Sequence, residues 1–244
     1  MAATTGAEPR AYPLSPRWLT IYGWAALAFL VFSQALGILT SPPDRDMGDL
    51  QKIMYVHVPA AWMSLLAYGT VFVLGLVFLW KRELKYDLMA ASAAQVGAVF
   101  AGATLVLGSI WGRPTWGVWW TWDARLTSMA VLFLMYVGYL VLRAFTEDEI
   151  RRARWSAAIA ALGFLNTFIV YMSVRWWRTI HQFQSSPGTV DPHYVLGLRL
   201  NSFAFLFVFV YFVIARYRTA HLVRDVEARI EEKALAPSPE KVHV

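Results

Sequence analysis

Six apolar runs, at residues 18–39, 54–80, 88–110, 126–144, 155–174 and 197–215, occupy most of this 244-residue chain. Each is close to the roughly 20 residues that cross the hydrocarbon of a bilayer. In that solvent every backbone N–H and C=O must find its partner within the chain, so runs of this kind are committed to helix. Only 16% of the residues are charged, against about a quarter in an ordinary soluble domain. The sequence therefore predicts an all-α, polytopic integral membrane protein with six transmembrane helices. The remaining stretches are too short for a soluble catalytic module. The first run is too long for a signal-peptide core and reads as an uncleaved span. The expected organisation is an N-terminal segment (1–17), a membrane domain (18–216) and a C-terminal tail (217–244).

Placing the N-terminus in the cytoplasm puts 15 of the 22 Lys and Arg residues on the cytoplasmic side and 7 on the other. The excess of positive charge on cytoplasmic loops then predicts that both termini are cytoplasmic. The connections 40–53, 111–125 and 175–196 accordingly face outward. No Asp, Glu, Lys, Arg or His sits centrally in a span, which argues against ion-coupled transport. Gln95, Asn166 and Asn201 are expected to bond between helices, and the pairs Gly97 with Ala101 and Ala98 with Gly102 to allow close helix approach. No phosphate-binding Gly-rich loop is present, so any ATP hydrolysis belongs to a partner. The chain has no cysteine, which excludes disulfides, thiolate metal sites and covalent c-type haem attachment.

Chemistry gathers on the outward side. Trp111, Trp116, Trp119, Trp120 and Trp122 are five of the chain's 12 tryptophans. Interfacial belts enrich Trp as a matter of course, but a belt does not need Gly112, Pro114 and Gly117 to fold the rings into one segment. The segment 111–125 reads as a periplasmic loop forming a platform for a flat apolar ligand. His57 opens the second span and His181 follows the fifth, both on the same side. Neutral imidazole is a standard axial ligand of haem iron, and two from different helices can hold iron from opposite faces or in succession. Arg113, Arg125, Arg175, Arg178 and Lys52 add guanidinium and ammonium groups able to pair with haem propionates. His193 reads as a surface residue, and His221 and His243 as residues of the tail.

The strings His57-Val58-Pro59-Ala60-Ala61, Trp111-Gly-x-x-x-Trp116-Gly-x-Trp119-Trp120-x-Trp122-Asp123-Ala124-Arg125-Leu126-Thr127 and Trp176-Trp177-x-Thr179-x-His181-Gln182 resemble the cytochrome c maturation protein C family. The resemblance covers nearly the whole chain in length, span count and motif order. Larger synthetases of cytochrome c assembly share the tryptophan-rich signature, and the length favours the small member. The resemblance implies His57 and His181 as axial ligands of haem b. It implies Trp111, Trp116, Trp119, Trp120, Trp122 and Asp123 as the haem platform, with Arg125 beside it and Lys52 as a basic contact. It also implies residence in the bacterial inner membrane and delivery of haem to a periplasmic haem chaperone. The implied neighbours are an ABC-type ATPase, a second membrane subunit and a small single-span subunit; no nucleic acid is expected. The chain itself is then no enzyme.

Three rival readings differ in where their ligands belong. A transmembrane haem exporter predicts ligands at more than one depth, and a b-type electron-transfer cytochrome predicts His pairs inside the spans. A haem-free permease subunit needs neither. Asp123 is expected to orient the loop or a ligand through hydrogen bonds.

Overall fold

A computed structural model describes residues 15–183 and 189–235. Most of the N-terminal segment, including Arg10, and the end of the tail, including Lys241 and His243, lie outside these residues. The described chain forms helices α1 (Arg17–Thr40), α2 (Met54–Lys81), α3 (Leu84–Trp116), α4 (Ala124–Phe145), α5 (Glu149–Trp176) and α6 (Pro192–Leu235), with a 3-10 turn at Asp49–Ile53 before α2. All six helices are long and apolar enough to cross a membrane. Helix α2 lies centrally, packing on α3, α5 and α6, while α1 covers α6 and α4 bridges α3 and α5.

Local chemistry sets the helix ends. Asp123 and Asp148 cap α4 and α5, accepting from Leu126 N at 2.8 Å and Arg151 N at 2.6 Å, which satisfies amide groups that a helix start leaves without partners. Gly117 ends α3 in the left-handed region, at φ 78°, where glycine carries no Cβ penalty. Pro59 lies inside α2 and cannot donate to the carbonyl of Tyr55 four residues back. Gln34 of α1 donates to that carbonyl instead, at 3.0 Å, so a neighbouring helix repairs the backbone as lipid cannot.

The expected polar contacts form. Asn201 donates to Ser33 O at 2.9 Å and accepts from Ser33 Oγ at 3.1 Å, joining α6 to α1. Asn166 donates to Ser128 O at 3.0 Å, joining α5 to α4, and Gln95 accepts from Arg216 Nε, joining α3 to α6. Close packing also appears where expected. A Cβ on Gly97 would lie 2.7 Å from that of Ala67 and 2.6 Å from Tyr136 Cζ, so only glycine permits this crossing.

Two boundaries differ from the sequence reading. The segment 111–125 is not one loop, because α3 continues through Trp116 and only 117–123 connects it to α4. The helix also runs on past residue 216 to Leu235, so the start of the tail is helical. Hydropathy marks the part of a helix that suits lipid, whereas helical hydrogen bonding continues into water at no such limit.

Candidate functional site

One cavity at the end of the bundle where α2 and α6 begin gathers most of the candidate residues. Its walls include His57, Ala61 and Trp62 of α2, Thr104, Gly108, Trp111 and Trp116 of α3, Trp120, Arg125 and Met129 near α4, and Val170 of α5. The segment after α5 adds Ile180 and His181, and the connection before α2 adds Met47. Mostly apolar and aromatic walls with a few convergent polar groups are the usual makeup of a site for a flat organic ligand.

The two imidazoles belong to different elements and reach the same space. His57 is only 8% exposed and stands edge-on to Trp111, with ring centres 5.7 Å apart. Its Nδ1 is buried without a hydrogen-bond partner among the described residues. A Cβ on Gly108 would stand 3.0 Å from His57 Cε1, so glycine leaves the ring its room on the α3 side. His181 lies 6.1 Å from Trp116, centre to centre. Its Nδ1 is 2.9 Å from the carbonyl of Gln182. A carbonyl only accepts, so Nδ1 carries the proton and Nε2 keeps a lone pair for a ligand. Burial holds the His181 imidazolium unfavourable, and the nearby Arg125 cation adds to this, so its pKa lies below the ordinary histidine value.

Asp123 does more than cap α4. Its second oxygen accepts from Thr179 Oγ1 at 2.5 Å and from Ile180 N at 3.2 Å, and Thr179 Oγ1 accepts from His181 N at 3.0 Å. Asp123, expected to orient the loop or a ligand, thus ties the segment carrying His181 to the start of α4. In the sequence Thr179 stands out only as part of a motif, because a hydroxyl in isolation gives no sign of its distant carboxylate.

Not every candidate comes to the cavity. Trp119 and Trp122 are 60% and 81% exposed and do not line it; they flank the connection at its outer surface. Lys52 is tied to Asp49 at 2.7 Å and is absent from the cavity wall. Of the five basic residues considered, Arg125 alone lines the cavity, with one guanidinium nitrogen donating to Val170 O at 3.0 Å. Arg113 turns back to Gly117 O, and Arg175 lies over Tyr171. His193 is exposed and pairs with Asp191 at 2.7 Å, in keeping with a surface role. Sequence reasoning missed Met47, Gly108 and Met129, which carry no ionisable group and reach the site only through helix phase or a loop.

Among the described residues no cluster of three or more His, Asp or Glu could hold a bare metal ion. Two imidazoles suit an iron that already has four ring nitrogens, since haem offers only axial positions. The unpartnered His57 Nδ1, the lone pair on His181 Nε2 and the tryptophan walls fit that group.

Fold and site together define a multi-pass membrane protein with a paired-histidine, tryptophan-walled cavity at one end of its helix bundle. A family model described as Heme exporter protein C matches residues 1–232, and the chain belongs to that family. It is 37% identical over 213 residues to the Heme exporter protein C of Bradyrhizobium diazoefficiens, covering 84% of this chain and 80% of the relative. It is 34% identical over 221 residues to that of Escherichia coli, covering 87% and 90%. A ccmC-like mitochondrial protein of cytochrome c biosynthesis from Marchantia polymorpha is 40% identical over 159 residues, covering 65% and 66%. With six helices able to cross a membrane and these bacterial relatives, the chain is a multi-pass protein of the bacterial inner membrane.

Proposed function

We propose that the chain is a haem-handling subunit of cytochrome c maturation that binds haem b at its periplasmic face, between His57 and His181, and presents it to a periplasmic haem chaperone. The single observation that carries this reading is the meeting of two imidazoles from separate elements in one Trp-walled cavity. The relatives' names, Heme exporter protein C and ccmC-like protein of cytochrome c biosynthesis, point to the same cargo.

His57 and His181 supply the axial nitrogens. Trp111, Trp116 and Trp120 supply flat apolar surface, and Arg125 faces the carboxylates of the propionates. Trp119 and Trp122, outward and exposed, suit contact with the chaperone, and Lys52, paired with Asp49, is a basic residue of the connection before α2. Both termini are cytoplasmic by charge placement, with 1–17 and 217–244 flanking the membrane domain 18–216. The chain works within an ABC-type complex in which a partner ATPase hydrolyses ATP, beside a second membrane subunit and a small single-span subunit. It performs no bond chemistry with its own residues.

Passage of haem through the bundle, as the word exporter suggests, is the second reading. It would call for ligands along the path, and the two candidate ligands share one end. The test is the visible spectrum of the detergent-purified protein, oxidised and reduced, beside His57→Ala and His181→Ala. A b-type spectrum weakened in both variants supports the proposal. A wild type that stays colourless after haem is added overturns it and leaves a haem-free permease subunit.

A further inference from the structure

The two candidate ligands are secured in different ways. His57 is part of α2, so the helix fixes its backbone, and the ring is nearly enclosed. His181 lies five residues beyond the end of α5, in a stretch without regular structure. Its position rests on a short chain of hydrogen bonds. The His181 amide donates to Thr179 Oγ1 at 3.0 Å, and the Thr179 hydroxyl donates to Asp123 Oδ2 at 2.5 Å. Ile180 N donates to that same oxygen at 3.2 Å, while Asp123 Oδ1 caps α4 through Leu126 N at 2.8 Å.

The chemistry of each link is directional. A carboxylate only accepts, so the Thr179 proton must point at Asp123, which leaves the hydroxyl lone pairs free to receive the His181 amide. Bonds with an ionised partner are the stronger kind. One carboxylate thereby holds both the first turn of α4 and the segment bearing His181. Asp123 follows Trp122 directly, and Trp122 is 81% exposed. A body pressing on that ring acts one peptide away from the carboxylate that fixes His181.

Resting on the haem reading above, we propose that Thr179 is a positioning residue that sets His181 toward the iron. In this proposal Asp123 couples His181 to the exposed Trp122, so that His181, not His57, is the ligand that lets go when haem leaves.

The test uses the full chain in detergent, loaded with haem. It measures the rate of haem loss to excess apomyoglobin and the fraction of low-spin, bis-imidazole iron by electron paramagnetic resonance. Thr179→Val keeps the shape and removes both hydrogen bonds; Thr179→Ser restores them. The expected result is haem loss about tenfold faster in Thr179→Val, from the loss of hydrogen bonding to a charged group. A smaller low-spin fraction accompanies it, and Thr179→Ser stays near wild type. In a His181→Ala background Thr179→Val should add nothing, because its effect passes through that imidazole. In a His57→Ala background its effect should persist.

Thr179→Val behaving as wild type, or speeding haem loss equally with and without His181, overturns the proposal; the second outcome would mark a general structural role. Should Thr179→Val fold poorly, Asp123→Asn run through the same cycle decides. A wild type that binds no haem would instead sink the haem reading, whereas histidine-dependent haem that ignores Thr179 sinks this inference alone.

Discussion

Two buried polar clusters, Asp87 with Arg143 at one end of the bundle and the cavity wall at the other, differ in how their members are satisfied. Where α2 turns into α3, Asp87 accepts from both terminal nitrogens of Arg143, at 2.5 and 2.8 Å, and Ser156 accepts from Arg143 at 3.1 Å. Tyr139 lies beneath the guanidinium, 5.6 Å from it. These groups partner one another and tie α3, α4 and α5 together. At the other end His57 Nδ1, Trp111 Nε1 and Trp120 Nε1 are buried with no hydrogen-bond partner among the described residues, and all three residues line the cavity. A buried polar group without a partner costs about 1–3 kcal/mol. Three such groups facing one cavity suit it to a ligand that partners them. The Asp87–Arg143 cluster, whose members partner one another, holds the helices.

The largest effect is expected at the two histidines. His57→Ala and His181→Ala should each abolish the bis-imidazole spectrum while leaving the thermal unfolding of the detergent-solubilised protein near wild type. Unfolding at much lower temperature would mean that the histidines hold the fold. Arg143→Ala should do the reverse. It strands Asp87 in a buried site, which costs about 3–5 kcal/mol, seen as a lowered unfolding temperature, with an unchanged haem spectrum in the protein that remains folded.

Arg125→Ala should weaken haem binding about tenfold or more, the scale of a charge-assisted hydrogen bond, whereas Arg113→Ala, exposed and turned away from the cavity, should not. Titration of a haem analogue lacking both propionates separates the causes, because it should bind wild type and Arg125→Ala alike.

Acid sharpens the site's chemistry. A coordinating histidine must be neutral, and burial holds the pKa of His181 below its ordinary value of about 6.5. The lowered pKa keeps the lone pair available as pH falls through that value. Haem should therefore stay bound there and leave at lower pH, as protons compete for the imidazole. Release above the ordinary histidine range would contradict the assignment. The smallest expected effect is that of Trp119→Ala and Trp122→Ala, whose rings lie outside the cavity. Both should retain the wild-type haem spectrum, and Trp120→Ala should lower haem affinity.

Much of this architecture was legible because lipid is a simple solvent. Apolar length marks a span, and the three polar residues Gln95, Asn166 and Asn201 each bond across helices, as expected of polar groups in lipid. The paired histidines and the tryptophan-rich segment were legible as chemistry. Their sorting was not. Trp111 and Trp116 face the cavity because α3 continues through them and fixes their phase, while Trp119 and Trp122 sit on the connection and point outward. Lys52 is a basic residue on the outward side as Arg125 is, yet a local ion pair with Asp49 holds it.

What the sequence by itself determined is the number of spans, the helical class and the stock of ligand-bearing side chains, since each follows from composition over a short window. The tertiary structure alone decided which of those side chains meet. Asp87 with Arg143 and Asp123 with Thr179 each join residues 56 positions apart, and Gln34 reaches the Tyr55 carbonyl exposed by Pro59 from another helix. Such bonds depend on helix rotation and on where each helix stops. Those are set by the packing of small residues such as Gly97 and by capping, which no single window of sequence contains.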